Sequence, residues 1–168
     1  MLGFLPLQVG AHKMPSYFHL CSVQLSPGSV IEPGNWGRII ELYPQDNNVS
    51  NAWRTAVEQV FEATRLQLTP DAPSRLTSAF AFLSQADAER QRPQMGWLNM
   101  LYEVELVDPD AVQHIGVFDL LTAAYVIDGT RFLPKARGLA TQYWSGSAAD
   151  GTKELVTASP LRIVRRIS

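Results

Sequence analysis

The chain has a single cysteine, Cys21, in 168 residues. One cysteine excludes an intrachain disulfide, and the sequence has no Cys/His cluster with the ligand spacing of a zinc site. No apolar run is long enough for a membrane span, and the amino-terminal segment, interrupted by Pro6, lacks the basic region of a signal peptide. We therefore expect no metal, no membrane association and a cytoplasmic location.

Charge is also scarce. Charged residues make up 18 % of the chain, below the globular average of roughly 25 %, and the net charge is −2. This balance argues against general nucleic-acid binding, which needs a basic surface. The one basic segment, residues 162–166, is typical of a charged edge strand. With 46 % hydrophobic residues the chain predicts one domain over residues 15–168, preceded by a loosely held segment at 1–14.

Several common nucleotide and hydrolase motifs are missing. The sequence contains no G-x-x-x-x-G-K-[ST], G-x-G-x-x-G, H-E-x-x-H or G-x-S-x-G. A dinucleotide, if one binds, must therefore be held by another scaffold. Cys21 lies two residues from His19, so a catalytic Cys–His pair is conceivable, but a lone buried cysteine is usually a small core residue.

Hydrophobic patterning predicts an α+β domain with mainly antiparallel sheets and two or three packed helices. One helix begins at Ser50 or Asn51, carries an apolar stripe of Trp53, Val57, Val60 and Phe61, and ends before Pro70. Two further helices are predicted at 84–92 and 132–144. Strands are predicted at 17–23, 79–84, 101–107, 116–121, 123–127, 154–157 and 161–167.

Several segments, in order, are similar to a known family. Tyr17-Phe18-His19 and the Pro/Gly-rich loop 25–34 resemble the start of the bacterial rifampin ADP-ribosyltransferases. Residues 82–88, 102–105 and 159–164 resemble their later strand, helix-start and closing segments. The chain also resembles an uncharacterised bacterial family with Pro-Ser-Arg, Tyr-Glu-Val and Tyr-Trp-x-Gly segments, here at 73–75, 102–104 and 143–146.

The resemblance implies a split-sheet ADP-ribosyltransferase-like fold that binds NAD. His19 would bind a ribose hydroxyl, and the backbone of Leu20, where the family has glycine, would hold the nicotinamide amide. Phe82 takes the place of the tyrosine that stacks on nicotinamide, Phe80 could share that role, and Ser84 could reach the carboxamide.

The resemblance also implies a catalytic carboxylate, which would stabilise the oxocarbenium-like charge and orient or deprotonate the acceptor. His19 and Asp119 are the catalytic candidates, and Arg75 or Arg38 would meet the pyrophosphate. The rivals of Asp119 are Asp108, Asp110 and Glu154.

We therefore expect a mono-ADP-ribosyltransferase that uses NAD as substrate and releases nicotinamide. The acceptor could be a protein, a nucleic acid or a small molecule, as in bacterial toxins and defence systems. One alternative is an NAD glycohydrolase, in which water is the acceptor. The other is a degenerate domain of the same fold that only binds a partner or ligand, which the departures at Leu20 and Phe82 favour.

Overall fold

The computed structural model describes residues 15–96, 98–148 and 150–168. The expected loose segment at 1–14 lies outside these residues. Five helices are present: α1 (Asn35–Glu41), α2 (Val49–Leu68), α3 (Gln85–Met95), α4 (Phe118–Tyr125) and α5 (Phe132–Ser145). A 3₁₀ turn covers Arg75–Thr77. The strands are β1 (Tyr17–Cys21), β2 (Val30–Ile31), β3 (Ala79–Phe82), β4 (Met100–Leu106), β5 (Gln113–Val117), β6 (Lys153–Thr157) and β7 (Leu161–Arg166).

The seven strands form one sheet in the order β2-β7-β4-β1-β3-β6-β5, and every neighbouring pair is antiparallel. This confirms the α+β class. The described residues contain five helices, where two or three were predicted. A single residue pair, Phe18–Phe82, joins β1 to β3, so the sheet divides there into a four-stranded and a three-stranded part.

Helix α2 follows its predicted stripe but begins earlier. Asn48, not Ser50 or Asn51, is the N-cap, and its Oδ1 accepts a hydrogen bond from the Asn51 amide at 3.2 Å. Val57 and Phe61 are completely buried. Glu58, one residue from Val57, is buried as well, although it is charged. The helix therefore brings a carboxylate into the interior along with its apolar face.

The two short strands predicted at 116–121 and 123–127 are wrong. The chain forms β5 and then turns directly into α4, with Leu121 and Ala124 buried three residues apart on one helical face. A short continuous apolar run does not distinguish a buried strand from a buried helix, because it shows neither the period of two nor the period of 3.6. The remaining predicted strands and helices are present, and none of their ends is shifted by more than three residues.

Helix α3 runs through Pro93, where an end was expected, and stops at Gly96. Ser84 is its N-cap, since its Oγ accepts a hydrogen bond from the Asp87 amide at 3.1 Å. None of the described helices combines the length and the apolar character needed to cross a membrane.

We expect Phe61→Ala to lower the free energy of unfolding by about 3–5 kcal/mol, because a fully buried aromatic side chain leaves a cavity. Phe61 contacts the edge of the Tyr143 ring at 5.5 Å between centroids. Leu66→Ala on the same helix is the matched control, since Leu66 is 57 % exposed. Urea unfolding measures both, and equal losses would contradict the placement of α2.

Candidate functional site

A cavity of about 230 Å³ lies where β1 and β3 separate. Its polar lining comes from His19, Arg75 and Glu154. Most of the other side chains around it are aromatic or aliphatic: Phe18, Leu20, Trp36, Phe80, Ala81, Phe82, Met95, Phe118, Leu121 and Tyr125. Among these lining residues, Met95 is 43 % exposed.

His19 lies at the point where the β1–β3 ladder ends. Its Nδ1 is 2.7 Å from the carbonyl oxygen of Phe80. A carbonyl only accepts, so Nδ1 carries the proton, and Nε2 of the neutral ring is an acceptor. Burial lowers the pKa of His19, and the bond to Phe80 offsets part of that effect. The ring therefore offers the cavity a hydrogen-bond acceptor.

The main chain of Leu20 also faces the separation between β1 and β3. Leu20 pairs with Leu101 of β4, but the N–H and C=O of Leu101 bond residues 167 and 168 on the far side of β4. In an antiparallel ladder this makes Leu20–Leu101 a non-hydrogen-bonded pair, so the N–H and C=O of Leu20 are directed toward β3. Among the described residues no β1–β3 pair follows Phe18–Phe82.

Two phenylalanines of β3 form one wall of the cavity. Phe80 and Phe82 are two residues apart, so both rings lie on the same face of the strand. Phe82 meets Phe118 edge to face, with centroids 5.4 Å apart. Phe82 is buried, whereas Phe80 is partly accessible. The two phenylalanine side chains therefore pack in the hydrophobic core and also line the cavity.

A buried guanidinium lies beside this wall and joins two carboxylates. Arg75 Nε donates to Glu58 Oε2 at 3.1 Å, and Arg75 Nη1 donates to Glu154 Oε1 at 2.6 Å. The guanidinium also lies 4.8 Å from the centroid of the Phe80 ring. Burial alone would lower the pKa of Arg75, but Glu154 and Glu58 outweigh it and raise the pKa well above its usual value.

Three aromatic side chains complete the hydrogen bonds of these carboxylates. Tyr143 donates its hydroxyl to Glu154 Oε1 at 2.8 Å, and Tyr125 donates to Glu58 Oε1 at 2.8 Å. Trp36 donates its indole N–H to Glu58 Oε1 at 2.9 Å. Burial raises the pKa of both tyrosines well above the ordinary value, so they remain neutral donors. We call Arg75, Glu58, Glu154, Tyr125, Tyr143 and Trp36 the Arg75 network.

Glu154 has one carboxylate oxygen left for a ligand. Both of its bonds, from Arg75 and Tyr143, go to Oε1. Oε2 has no hydrogen-bond partner among the described residues, and it is not fully enclosed. Glu154 lines the cavity, although only 3 % of the residue is exposed. Burial raises the pKa of Glu154, and the charge of Arg75 and the bond from Tyr143 offset only part of that effect.

The structure brings five of the predicted site residues together at this cavity: His19, Leu20, Arg75, Phe80 and Phe82. Ser84 is not among them, because its hydroxyl caps α3. Asp119 lies outside the cavity, at the start of α4, where its carboxylate accepts hydrogen bonds from the Thr152 amide at 2.7 Å and from Gln91 Nε2 at 3.2 Å.

Among the rivals of Asp119, only Glu154 lines the cavity. Asp108 and Asp110 are exposed in the turn after β4. Arg75 is paired with carboxylates in the interior, so its charge is already neutralised, whereas Arg38 is exposed on α1, two residues beyond Trp36. Cys21 and His19 are not hydrogen-bonded to each other: the thiol bonds the Val23 carbonyl at 3.2 Å.

Four residues in or beside the cavity were not among the predicted site residues: Glu58, Trp36, Tyr125 and Phe118. A signal for Glu58 was present, because it lies one residue after Val57 and three before Phe61, at the edge of the apolar stripe. Trp36 and Tyr125 carried no such signal, because only folding brings α1 and α4 to α2. Among the described residues no three His, Cys, Asp or Glu side chains are placed to share a metal ion.

The tautomer of His19 gives a direct test of this geometry. We expect ¹⁵N chemical shifts to show a protonated Nδ1 at neutral pH and a His19 pKa below 6.5. The unfolded chain would bind a proton first as the pH falls, so the stability that neutral His19 contributes is complete above pH 6.5 and is lost below it. His19→Gln assigns the signal, and an Nε2–H tautomer would contradict the bond to Phe80.

Removing the Arg75 side chain should lower the free energy of unfolding far more than removing that of a surface arginine. Arg75→Met leaves two carboxylates in the interior without their cation, and we expect a loss of about 3–5 kcal/mol in the free energy of unfolding. Arg162→Met is the control, because the Arg162–Glu105 pair is largely exposed and such pairs contribute about 0–1 kcal/mol. Denaturant unfolding that finds the two losses equal would overturn the Arg75 network.

Comparison with known proteins identifies no family for this chain. No protein-family model matches the sequence, and no curated protein matches it either.

Proposed function

We propose that this chain is an ADP-ribosyltransferase that binds NAD at the cavity, releases nicotinamide and transfers ADP-ribose to an acceptor. One observation carries the proposal. An acceptor nitrogen on His19, an aromatic wall and a carboxylate oxygen of Glu154 come from three adjacent strands and line one cavity. The sequence resemblance predicts a histidine, an aromatic residue and an acid in one cleft, and this arrangement supports it.

The cavity suits the nicotinamide end of NAD. Phe80 and Phe82 offer ring surfaces for a planar heterocycle at low entropic cost. The N–H and C=O of Leu20, directed into the separation between β1 and β3, match a carboxamide, which has both a donor and an acceptor. His19 Nε2 accepts a hydrogen bond from a ribose hydroxyl. At about 230 Å³ the cavity is smaller than the roughly 300–1,000 Å³ of drug-sized pockets, so the adenosine end lies outside.

The proposed reaction breaks the bond between the ribose anomeric carbon and the nicotinamide nitrogen. The bonding electron pair goes to that nitrogen, which leaves as neutral nicotinamide, and positive charge develops on the ribose. Glu154 Oε2 stabilises this charge. A lone pair of the acceptor then forms the new bond to the anomeric carbon, and the acceptor's proton passes to the Glu154 carboxylate. We assign the acid role to Glu154, because Asp119 does not line the cavity.

Arg38 is the better candidate for the pyrophosphate. It is exposed on α1, the helix whose Trp36 lines the cavity, while Arg75 is enclosed by Glu58 and Glu154. A phosphate outside the cavity would meet an accessible guanidinium there. Water as acceptor would make the protein an NAD glycohydrolase, which uses the same residues up to the departure of nicotinamide.

A second candidate function is a binding module without chemistry. It is favoured by the ion pair itself: Arg75 and Tyr143 already hold Glu154 Oε1, which reduces the negative charge available to the ribose. Such a protein would bind the dinucleotide, or its nicotinamide part, and leave it intact.

Nicotinamide release from NAD by the purified protein tests the proposal. We expect Glu154→Gln and His19→Ala to reduce the rate at least 100-fold, the usual range for loss of a charge-stabilising or acid–base group. Asp119→Asn is the matched carboxylate control and should change the rate less than tenfold, since Asp119 only ties α4 to the segment before β6. Circular dichroism confirms that each variant is folded.

Two outcomes would overturn this assignment. Loss of release in Asp119→Asn with full activity in Glu154→Gln would return the acid role to Asp119. No release by the folded wild-type chain, with NAD bound in calorimetry, would establish the binding module instead.

A further inference from the structure

We infer that two copies of this chain associate through the outer edge of β5, so that their two sheets join into one. The inference goes beyond the proposed function and does not rest on it. β5 (Gln113–Val117) is the last strand in the order of the sheet, and among the described residues only β6 pairs with it. Its outer side is therefore an open strand edge with a row of main-chain donors and acceptors.

The pairing of β5 with β6 determines which main-chain groups face this edge. The Phe118 N–H donates to the Thr152 carbonyl at 2.8 Å, and the Ala158 N–H donates to the Val112 carbonyl at 3.0 Å. These bonds lie at the two ends of a ladder of consecutive pairs without a register shift. Hydrogen-bonded positions alternate along an antiparallel strand, so the even-numbered residues of β5 bond β6 and the odd-numbered ones are turned outward.

The outward groups of β5 complement a second copy of the same strand. They are the N–H and C=O of Gln113 and Ile115 and the N–H of Val117, whose C=O instead begins α4. In an antiparallel pair around a two-fold axis at Ile115, this residue lies opposite itself, and Gln113 lies opposite Val117. The two Ile115 residues then exchange both of their hydrogen bonds, and each Val117 N–H donates to the Gln113 C=O of the other copy.

The side chains of this edge carry none of the charges that keep two strands apart. Residues 111–118 contain no Asp, Glu, Lys or Arg. Ile115 is 51 % exposed and pairs with Leu155, which is buried in the hydrophobic core. In the two-fold pair the Ile115 side chains lie side by side on one face, so an apolar cross-strand contact removes surface of both from water.

The opposite end of the sheet is protected against such pairing. β2 (Val30–Ile31) has only two residues, and its neighbour β7 carries Arg162, Arg165 and Arg166. Short edge strands offer few main-chain bonds, and like charges repel across a pair of strands. β5 has neither form of protection. A second copy brings an uncharged strand with the matching donors and acceptors, so it is the partner that we assign to this edge.

Light scattering during gel filtration measures the mass of the purified full chain, and we expect the mass of a dimer. Ile115→Lys places two like charges opposite each other at the two-fold axis and should raise the dissociation constant at least about tenfold. Val164→Lys is the matched control and should leave the dimer unchanged, because Val164 is 41 % exposed on β7, toward the other end of the sheet.

A disulfide tests the register of the two strands. In a Cys21→Ser background, Ile115→Cys places two thiols opposite each other with Cα atoms about 5.5 Å apart, within the roughly 4.4–6.8 Å that a disulfide spans. Val112→Cys is the control, because Val112 is 52 % exposed. The two Val112 residues lie three positions on either side of the axis, which separates them by roughly 20 Å at about 3.4 Å per residue. We expect oxidation to cross-link Ile115→Cys at least about tenfold faster.

Three results would overturn the inference. The first is a monomer at concentrations approaching millimolar, whether the edge of β5 is then open or is covered by another part of the same chain. The second is a dimer that Val164→Lys dissociates and Ile115→Lys does not. The third is equal cross-linking at positions 112 and 115. The mass of the wild-type chain decides the first point even if a variant fails to fold.

Discussion

The buried ion pairs of Arg75 are the constraint on which the rest of the structure depends. One guanidinium joins Glu58 of α2 to Glu154 of β6, and through Tyr143, Tyr125 and Trp36 the same charges fix α5, α4 and α1. Charges are costly in an interior unless each is paired and hydrogen-bonded. The helices can therefore pack on the sheet in few other arrangements without leaving one of these groups alone.

The cavity exists because the sheet stops being continuous at its centre. β1 and β3 share the single pair Phe18–Phe82, and the side chain of His19 bonds the Phe80 carbonyl where the ladder ends. Main-chain groups of Leu20 are turned toward the same separation. Polar groups exposed by an interrupted ladder need partners, and under the proposed function the carboxamide of nicotinamide supplies them. The Arg75 network closes the inner end and supplies the carboxylate.

Helices and strands were predicted correctly where the hydrophobic residues followed a clear period and wrongly where they did not. The stripe of Val57 and Phe61 and the alternation of Tyr102 and Val104 gave a helix and a strand that the structure confirms. The run after Gly116 gave two strands where the chain forms β5 and α4, because short apolar segments fit either structure. Gly116 itself serves packing, since a Cβ there would lie 2.2 Å from the Tyr143 ring.

The sequence by itself determined the α+β class and the strand residues that line the cavity, His19, Leu20, Phe80 and Phe82. The class follows from local periodicity, whereas the four residues were expected from the resemblance of short motifs to a known family. Only the tertiary structure decided which acid lines the cavity. Asp119 and Glu154 were both plausible in sequence, but strand pairing places Glu154 opposite Phe82, while a tie to Thr152 holds Asp119 elsewhere. Long-range pairing sets that choice, because residues 72 positions apart meet only when β3 and β6 join.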